Sequence, residues 1–459
     1  MVPSPSRALL GALAALALAS CTAGEPPHPN LLLIVVDTLR PDRLGCYGAE
    51  RDTSPAIDAL AAQSVRFEAA ATTAPWTRPA VATILTGLYP SAHSVTRIAR
   101  RLPDEVTTLA ELCTAAGYDT AFATSNALLK APYGYEQGFG TWMDGEARGR
   151  HHVSTGGLTD QAVDWLSAPG RGDRPWFLGL LYFDPHYRYV PHEEVDFAAP
   201  SAGRLRGAES IQELRDMDLA PEEIAFVRDL YDEEIRHTDA GIGRLLAALE
   251  GLDLDRDTWI VLTSDHGEEF LDHGWLGHTR NLYEGLLRVP LLIRPPGGVS
   301  DSPGGCVVRQ PVSLVSLTPT LVDLLGLPLP EDGFQGPSLR ALIEGGASPD
   351  AAPPVFGEVD FVPGKAVHED KRARMRSVRR GDWKLIRDDD RGTVELYDLA
   401  ADPGERADLA AERPELAAEL LDLLERMSAA VRSRAAGSSE ARLEEADLEL
   451  LQGLGYVDR

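Results

Sequence analysis

The sequence predicts an α/β domain organised around a mostly parallel sheet, and three short apolar runs carry that prediction. Leu31–Val36, Trp176–Phe183 and Trp259–Leu262 are almost wholly apolar, and each is followed at once by polar residues. Runs of this length suit strands covered on both faces, as when helices flank a parallel sheet. Amphipathic patterns lie between them, over Ser54–Gln63, Thr107–Ala116, Leu158–Leu166 and Glu222–Glu250. Strands alternating with helices indicate a doubly wound arrangement, in which ligands bind beyond the carboxyl ends of the strands. Asp37, His186, Asp265 and His266 all fall there.

Past residue 330 the pattern changes. A stretch rich in Pro, Gly and Asp around 328–354 marks a boundary, so 30–330 is expected to form the main domain. A smaller subdomain, 331–431, follows, with strand-like pieces at Arg376–Arg379, Trp383–Arg387 and Val394–Asp398 and a helix from Pro414 to about Val431. Turn-rich separators between the strand pieces predict a small antiparallel sheet. Residues 432–459 read as an acidic helical tail.

At the other end, Arg7 precedes the apolar run Ala8–Ala19, which is too short to span a bilayer and reads as a cleaved signal over residues 1–20. Its ending, Leu18-Ala19-Ser20-Cys21, resembles a bacterial lipoprotein signal. Cys21 would then be lipidated and become the mature N-terminus, anchoring the protein to a membrane on the periplasmic or outer-surface side of the envelope. Residues 21–29 form a Pro-rich spacer. Cys46, Cys113 and Cys306 are scattered and predict buried thiols rather than a disulfide framework. The chain of 459 residues carries 71 Asp+Glu against 44 Lys+Arg, a formal charge of −27. That balance, with no basic run, excludes nucleic acid as a partner and favours recruitment of a divalent cation.

The chemistry-bearing residues stand at the strand ends. A carboxylate such as Asp37, directly after an apolar strand, is costly to bury unless it is paired or binds a metal. Asp265-His266-Gly267 follows a second strand. Two carboxylates and an imidazole converging there make a mixed oxygen and nitrogen site suited to one divalent cation: Ca²⁺, Mg²⁺, Mn²⁺ or Zn²⁺. Thr77 opens the segment Thr77-Arg78-Pro79-Ala80-Val81 through Gly87, with Thr77 expected as N-cap and Gly87 closing the helix. A hydroxyl at a helix N-terminus faces a positive dipole, and a metal beside it would activate it as a nucleophile.

These motifs together resemble the sulfatase family of the alkaline phosphatase superfamily. Asn30–Gly48 is similar to the family's opening, Thr77–Gly87 to its C-x-P-x-R signature, and Ser264–Glu268 with Gly277-His278 and Leu282-Tyr283-Glu284 to its second metal block. Trp383-Lys384-Leu385 and Glu395–Leu399 are similar to its C-terminal sheet. The resemblance implies the alkaline-phosphatase-like sulfatase fold and a cation held by Asp37, Asp265 and His266 that also touches the Thr77 oxygen. It implies that His186 protonates the leaving oxygen and that His278 contacts the ester's anionic oxygens where a Lys is usual, positive only when protonated. Ser125 and Asn126 fall in the segment Thr124-Ser125-Asn126-Ala127 that matches a Gly-Lys-Trp-His substrate-binding stretch.

The departures from the family pattern bear on the reaction. Sulfatases carry a Cys or Ser oxidised to formylglycine, and Thr77 cannot become that aldehyde. The signature's Arg is Val81, the stretch's Lys and His are absent, and Thr38 stands where a second Asp is often found. Three cationic contacts to the anionic group are thus missing, a loss that phosphodiesters, with one charge, suffer least. The expected function is metal-dependent hydrolysis of a sulfate or phosphate ester of a small molecule, glycan or lipid through Thr77, with phosphoesters favoured. The alternatives are an envelope phospho-group transferase using the same Thr and an inactive binding protein of the same fold. A second ion at Asp184, His186 and His278 is a further variant.

Overall fold

The computed structural model describes residues 28–147, 153–171, 174–199, 201–299, 306–346, 353–361, 372–441 and 449. The signal segment 1–20, Cys21 and nearly all of the tail beyond 441 lie outside the described residues.

A nine-stranded sheet forms the centre. Its order is Cys306–Val308, Val65–Ala71, Arg288–Arg294, Thr258–Ser264, Asn30–Val36, Trp176–Tyr182, Asp119–Thr124 and Thr141–Met143, with Val312–Ser313 also paired to Val65–Ala71. Asn30–Val36 runs parallel to both Trp176–Tyr182 and Thr258–Ser264, in registers that set Val36 opposite Tyr182 and Ser264. Three chain segments therefore leave the sheet at one level, and their next residues, Asp37, Phe183 and Asp265, begin the loops that carry the polar groups.

The absence of polar alternation in these strands follows from their two covered faces. Leu31, Leu33 and Val35 pack with Val81, Ile84 and Leu85 of the helix Thr77–Thr86. Leu32, Ile34 and Val36 pack on the opposite side with Leu230, Tyr231 and Ile235 of the long helix Pro221–Gly251. The expected helices are present as Pro55–Ala61, Leu109–Ala115 and Thr155–Leu166. Thr108 and Glu111 close a capping box at the second of them, which fixes its start.

Among the strands that were not legible are Val65–Ala71 and Arg288–Arg294. Arg288–Arg294 lies antiparallel to both neighbours, and its Pro290 sits at a register shift between Val289 and Leu291. Proline lacks a ladder donor and is tolerated at such bulges, which hides the strand from a propensity reading.

The C-terminal subdomain is antiparallel as expected, with Val355–Phe361 as an added strand before Ala373–Arg380, Trp383–Asp388 and Thr393–Asp398. The helix Pro414–Arg432 covers it through Leu420, Leu424 and Val431. Four expectations need correction. The spacer's last residues are docked, with His28 Nδ1 2.9 Å from Leu325 O and the Tyr118 hydroxyl donating to Pro29 O at 2.9 Å. The main domain extends past 330, since Leu339 belongs to the core cluster containing Leu317 and Leu321. Ser439–Glu440 is a short strand on Arg100–Arg101, not helix, and Cys306 is exposed rather than buried.

Lys384 fastens the two parts together. Its Nζ lies 2.8 Å from Glu284 of the main domain and 2.9 Å from Glu405, and all three side chains are almost wholly buried. Removing Lys384 strands the buried Glu405 carboxylate in a low-dielectric site and leaves Glu284 to Arg379 alone, 3.2 Å away. Lys384→Met is therefore expected to cost about 3–5 kcal/mol, read as a lower urea midpoint with no change in the position of the catalytic residues.

Candidate active site

Ser264 joins two of the strand ends. Its hydroxyl lies 2.7 Å from Val36 O, 2.6 Å from His266 O and 2.9 Å from Leu39 N. Thr38 turns the chain with φ of 56°, unusual for a β-branched residue. The turn is held by the Tyr231 hydroxyl donating to Thr38 O at 2.6 Å and by Thr38 N–H donating to Asp265 at 3.3 Å. Gly267 has no room for a side chain, because a Cβ there would meet the Gly285 carbonyl. These contacts fix the directions in which Asp37, Asp265 and His266 point.

Each carboxylate has one oxygen anchored and one open. Asp37 Oδ2 accepts from Asn126 Nδ2 at 2.6 Å, and Asp265 Oδ1 accepts from His266 N–H at 2.9 Å. Asp37 Oδ1 and Asp265 Oδ2 are buried with no hydrogen-bond partner among the described residues. They lie 3.6 Å and 3.5 Å from His266 Nε2. His266 Nδ1 is 2.8 Å from Gly267 O and must donate there, so Nε2 presents a lone pair to the same space. Two orphaned carboxylate oxygens and one imidazole lone pair facing one point are the donor set a divalent cation requires, and one donor atom from each residue lies within 4.8 Å of the others.

Thr77 completes the cluster, though not as the expected N-cap. Trp76 takes that place, with φ −166° and ψ 156°, and Thr77 is the first helical residue with no capping bond of its own. Trp76 is held edge-on to Phe361, with ring centroids 5.5 Å apart. The Thr77 hydroxyl is thereby left to the cluster. Its Oγ1 lies 3.4 Å from His266 Nε2 and 3.5 Å from Asn126 Nδ2.

The remaining sequence-predicted residues divide. His186 and His278 stand beside the cluster, with ring centroids 5.0 Å apart and His278 4.5 Å from His266. Asn126 bridges Asp37 and Thr77. Ser125 is not brought to the site: its hydroxyl lies 3.3 Å from Leu181 O and accepts from Phe183 N–H at 3.1 Å, so it secures the sheet instead. Asp184 faces away, accepting from the N–H groups of Ser154 and Thr155 at the start of the helix Thr155–Leu166. That removes the basis for a second ion at Asp184, His186 and His278.

Burial governs the protonation states. It pushes the Asp37 carboxyl well above the usual range, reinforced by the Asp265 charge, and it raises Asp265 too. It pushes His278 well below the usual imidazole value, with His266 and Arg215 adding to the effect. The pH-dependent positive charge expected at His278 is therefore disfavoured. His186, likewise held low by burial and by His278, is a neutral ring whose Nδ1 lies 2.8 Å from Tyr187 O. Two residues missed in the sequence support this pair. Glu268, pushed up to about 7 by burial, lies 2.9 Å from His278 Nδ1 and accepts from the Tyr189 hydroxyl at 2.9 Å. Arg215 packs over Trp275 and donates to Leu276 O at 2.8 Å, and its charge is felt by both imidazoles. Glu268 had a readable signal, an acid directly after Asp265-His266-Gly267; Arg215 had none.

The fold agrees with comparisons across known proteins. A profile of the sulfatase family matches residues 29–327. The chain belongs to the sulfatase family. A second profile, of the C-terminal part of N-sulphoglucosamine sulphohydrolase, matches residues 271–431. The sulfatase-family chain is 26% identical to an N-acetylglucosamine-6-O-sulfatase of Bacteroides thetaiotaomicron, over 98% of this chain and 96% of that protein. It is 27% identical to a choline-sulfatase of Rhizobium meliloti, over 83% and 82% of the two chains. Its fold superposes on the phosphonate monoester hydrolase of Agrobacterium radiobacter with a TM-score of 0.72 and 26% identity, covering 90% of this chain and 100% of that one. The protein is thus a hydrolase with the alkaline-phosphatase-like α/β fold.

The two raised carboxyls give a sign for stability. In metal-free protein the native state holds protons that the unfolded state releases above about pH 4, so stability falls as pH rises through that window toward the raised native values. Asp265→Asn removes the repulsion. In chelated protein this variant should show a higher melting temperature near neutral pH than wild type and a flatter pH dependence, measured by scanning calorimetry.

Proposed function

We propose that this sulfatase-family protein hydrolyses a singly charged phosphoester, a phosphodiester or phosphonate monoester, through a covalent intermediate on Thr77. One observation carries the reading: the Thr77 hydroxyl shares a buried site with two orphaned carboxylate oxygens and the His266 lone pair. Asp37, Asp265 and His266 would hold one divalent cation there, together with Thr77 Oγ1. When bound, such an ion supplies positive charge that lowers the pKa of a coordinated hydroxyl and offsets charge on the transferred group.

The chain's own residues supply the rest. Asn126 holds Asp37 and Thr77 in one orientation. The Thr77 hydroxyl gives up its proton to water and its oxygen attacks phosphorus in line, forming the O–P bond as the bond to the leaving oxygen breaks. Neutral at rest, His186 gains a proton more readily once an anionic ester lies beside it, and that proton passes to the leaving oxygen. Water then attacks phosphorus, the Thr77 O–P bond breaks, and the hydroxyl is restored. Glu268, pushed up to about 7 by burial, lies 2.9 Å from His278 Nδ1 and fixes the orientation of that neutral ring beside the anionic oxygens.

Charge selects among esters. None of the positions that match the family's cationic contacts is charged here: Val81 packs under the sheet, Ala127 packs with Trp76 and Leu128, and Ser125 hydrogen-bonds the sheet. Among the described residues, the groups a doubly charged phosphomonoester would meet at the cluster are the neutral imidazoles of His186 and His278. A sulfate ester bears one charge, but a threonine adduct lacks the formylglycine route for expelling sulfate by C–O cleavage. The similar proteins, sulfatases and a phosphonate monoester hydrolase, bracket the choice. A cavity of about 930 Å³ lined by Arg280, Asn281, Tyr283, Arg372 and Asp388 follows directly on His278 in the chain and suits a polar leaving group of glycan or lipid-headgroup size. The N-terminal reading places the reaction at the bacterial envelope, with Cys21 as the point of lipid attachment.

Two outcomes follow. Thr77→Ala should lower turnover about 1,000-fold or more while metal content stays at the wild-type level, whereas unchanged turnover would remove Thr77 from the mechanism. In steady-state assays with one cation, a bis-aryl phosphate and an aryl phosphonate monoester should exceed both aryl phosphate and aryl sulfate in kcat/KM. An aryl sulfate turned over fastest would replace the phosphoester reading with a sulfate one.

A further inference from the structure

Another cluster of ligating side chains lies outside the catalytic site. His192 and Glu194 stand on the segment after the strand Trp176–Tyr182, and His237 stands on the long helix Pro221–Gly251. One donor atom from each lies within 4.8 Å of the others. We propose that His192, Glu194 and His237 form a separate cation site that takes a zinc-class transition ion and clamps the 190–198 segment onto that helix.

The donor chemistry sets the class of ion. Two imidazoles and a carboxylate suit borderline ions such as Zn²⁺, whereas Ca²⁺ and Mg²⁺ prefer all-oxygen sets. The catalytic cluster, with its two carboxylates, differs in this respect.

The arrangement is also oriented from behind. His192 Nε2 lies 2.8 Å from Glu234 Oε2, a buried carboxylate, so Nε2 carries the proton there. Nδ1 is then the ligating atom, and it lies 3.8 Å from Glu194 Oε1. A carboxylate that fixes the tautomer of a metal-binding imidazole is the usual outer support of zinc sites. His237 Nδ1 lies 2.6 Å from the same Glu194 oxygen, and its ring is stacked on His192 with centroids 4.2 Å apart. Its Nε2 is buried with no hydrogen-bond partner among the described residues, so the ring's one polar commitment is toward Glu194. Donors bound to one zinc lie about 2.0–2.2 Å from it, so the two imidazole planes, now within 12° of parallel, must turn about their side-chain bonds for both Nδ1 lone pairs to meet the ion.

The backbone is prepared for the clamp. Glu233 accepts from the N–H groups of His192, Phe197 and Ala198, and Glu234 from Val190 N–H. Glu194 is more than half exposed, which leaves a path for the ion and room for a water as fourth ligand. The competing account is a set of plain ion pairs, His192 with Glu234 and His237 with Glu194.

The test uses full-length protein with the catalytic ligands removed, Asp37→Asn with Asp265→Asn, stripped by chelator and titrated with Zn²⁺ by calorimetry. One equivalent should bind, with imidazole scattering in the zinc-edge absorption spectrum and slower amide exchange over 190–198. Glu234→Gln keeps the acceptor for Val190 and should weaken Zn²⁺ about 10- to 100-fold. His237→Gln, on a partly exposed helix position, should abolish the binding, with circular dichroism reporting that it is folded. No Zn²⁺ bound by the double variant, or equal affinity in the His237→Gln background, would overturn the site and leave the ion-pair account.

Discussion

Two aspartates buried side by side repel each other, and everything around the catalytic cluster is arranged to hold them there. Each carboxylate gives one oxygen to a fixed donor and turns the other toward His266 Nε2. Without a cation, burial and mutual charge raise both carboxyls. An arrangement that destabilises the empty protein but is so fully braced is what a metal site requires, since binding energy repays the strain when the ion enters. Ser264, the Thr38 turn and the Gly267–Gly285 contact are the bracing.

The sheet register is what brings the pieces to one point. Because Val36 lies opposite both Tyr182 and Ser264, the residues after three strands emerge together. The helix Thr77–Thr86 packs under the same sheet through Val81, Ile84 and Leu85, which places its first turn against the two aspartates. The second imidazole layer, His186 and His278, sits in an apolar and aromatic setting that keeps it neutral. Under the proposed reading the site would draw most of its positive charge from a bound cation.

Much of this was legible in the sequence, for identifiable reasons. Asp37 and Asp265 stood out because acids directly after apolar strands have few stable roles, and the continuous runs announced strands buried on two faces. Thr77 was legible as a residue but not in its position: the extended backbone of Trp76, set by packing against Phe361, moved the cap one residue earlier. Ser125 was misplaced because motif alignment gives the segment but not the direction of a side chain. His278 kept its place but not its charge, which depends on burial. Arg215, the Val65–Ala71 strand and the His192–Glu194–His237 cluster arise from contacts between distant segments, and no local pattern encodes them.

The central claim is that one cation is held jointly by Asp37, Asp265 and His266 in contact with the Thr77 hydroxyl. Anomalous diffraction from crystals grown with Mn²⁺ tests it most directly. The account predicts a peak within about 2.0–2.6 Å of Asp37 Oδ1, Asp265 Oδ2, His266 Nε2 and Thr77 Oγ1. A cluster left empty at saturating metal, or an ion seated there with the threonine oxygen turned away from it, would contradict the account.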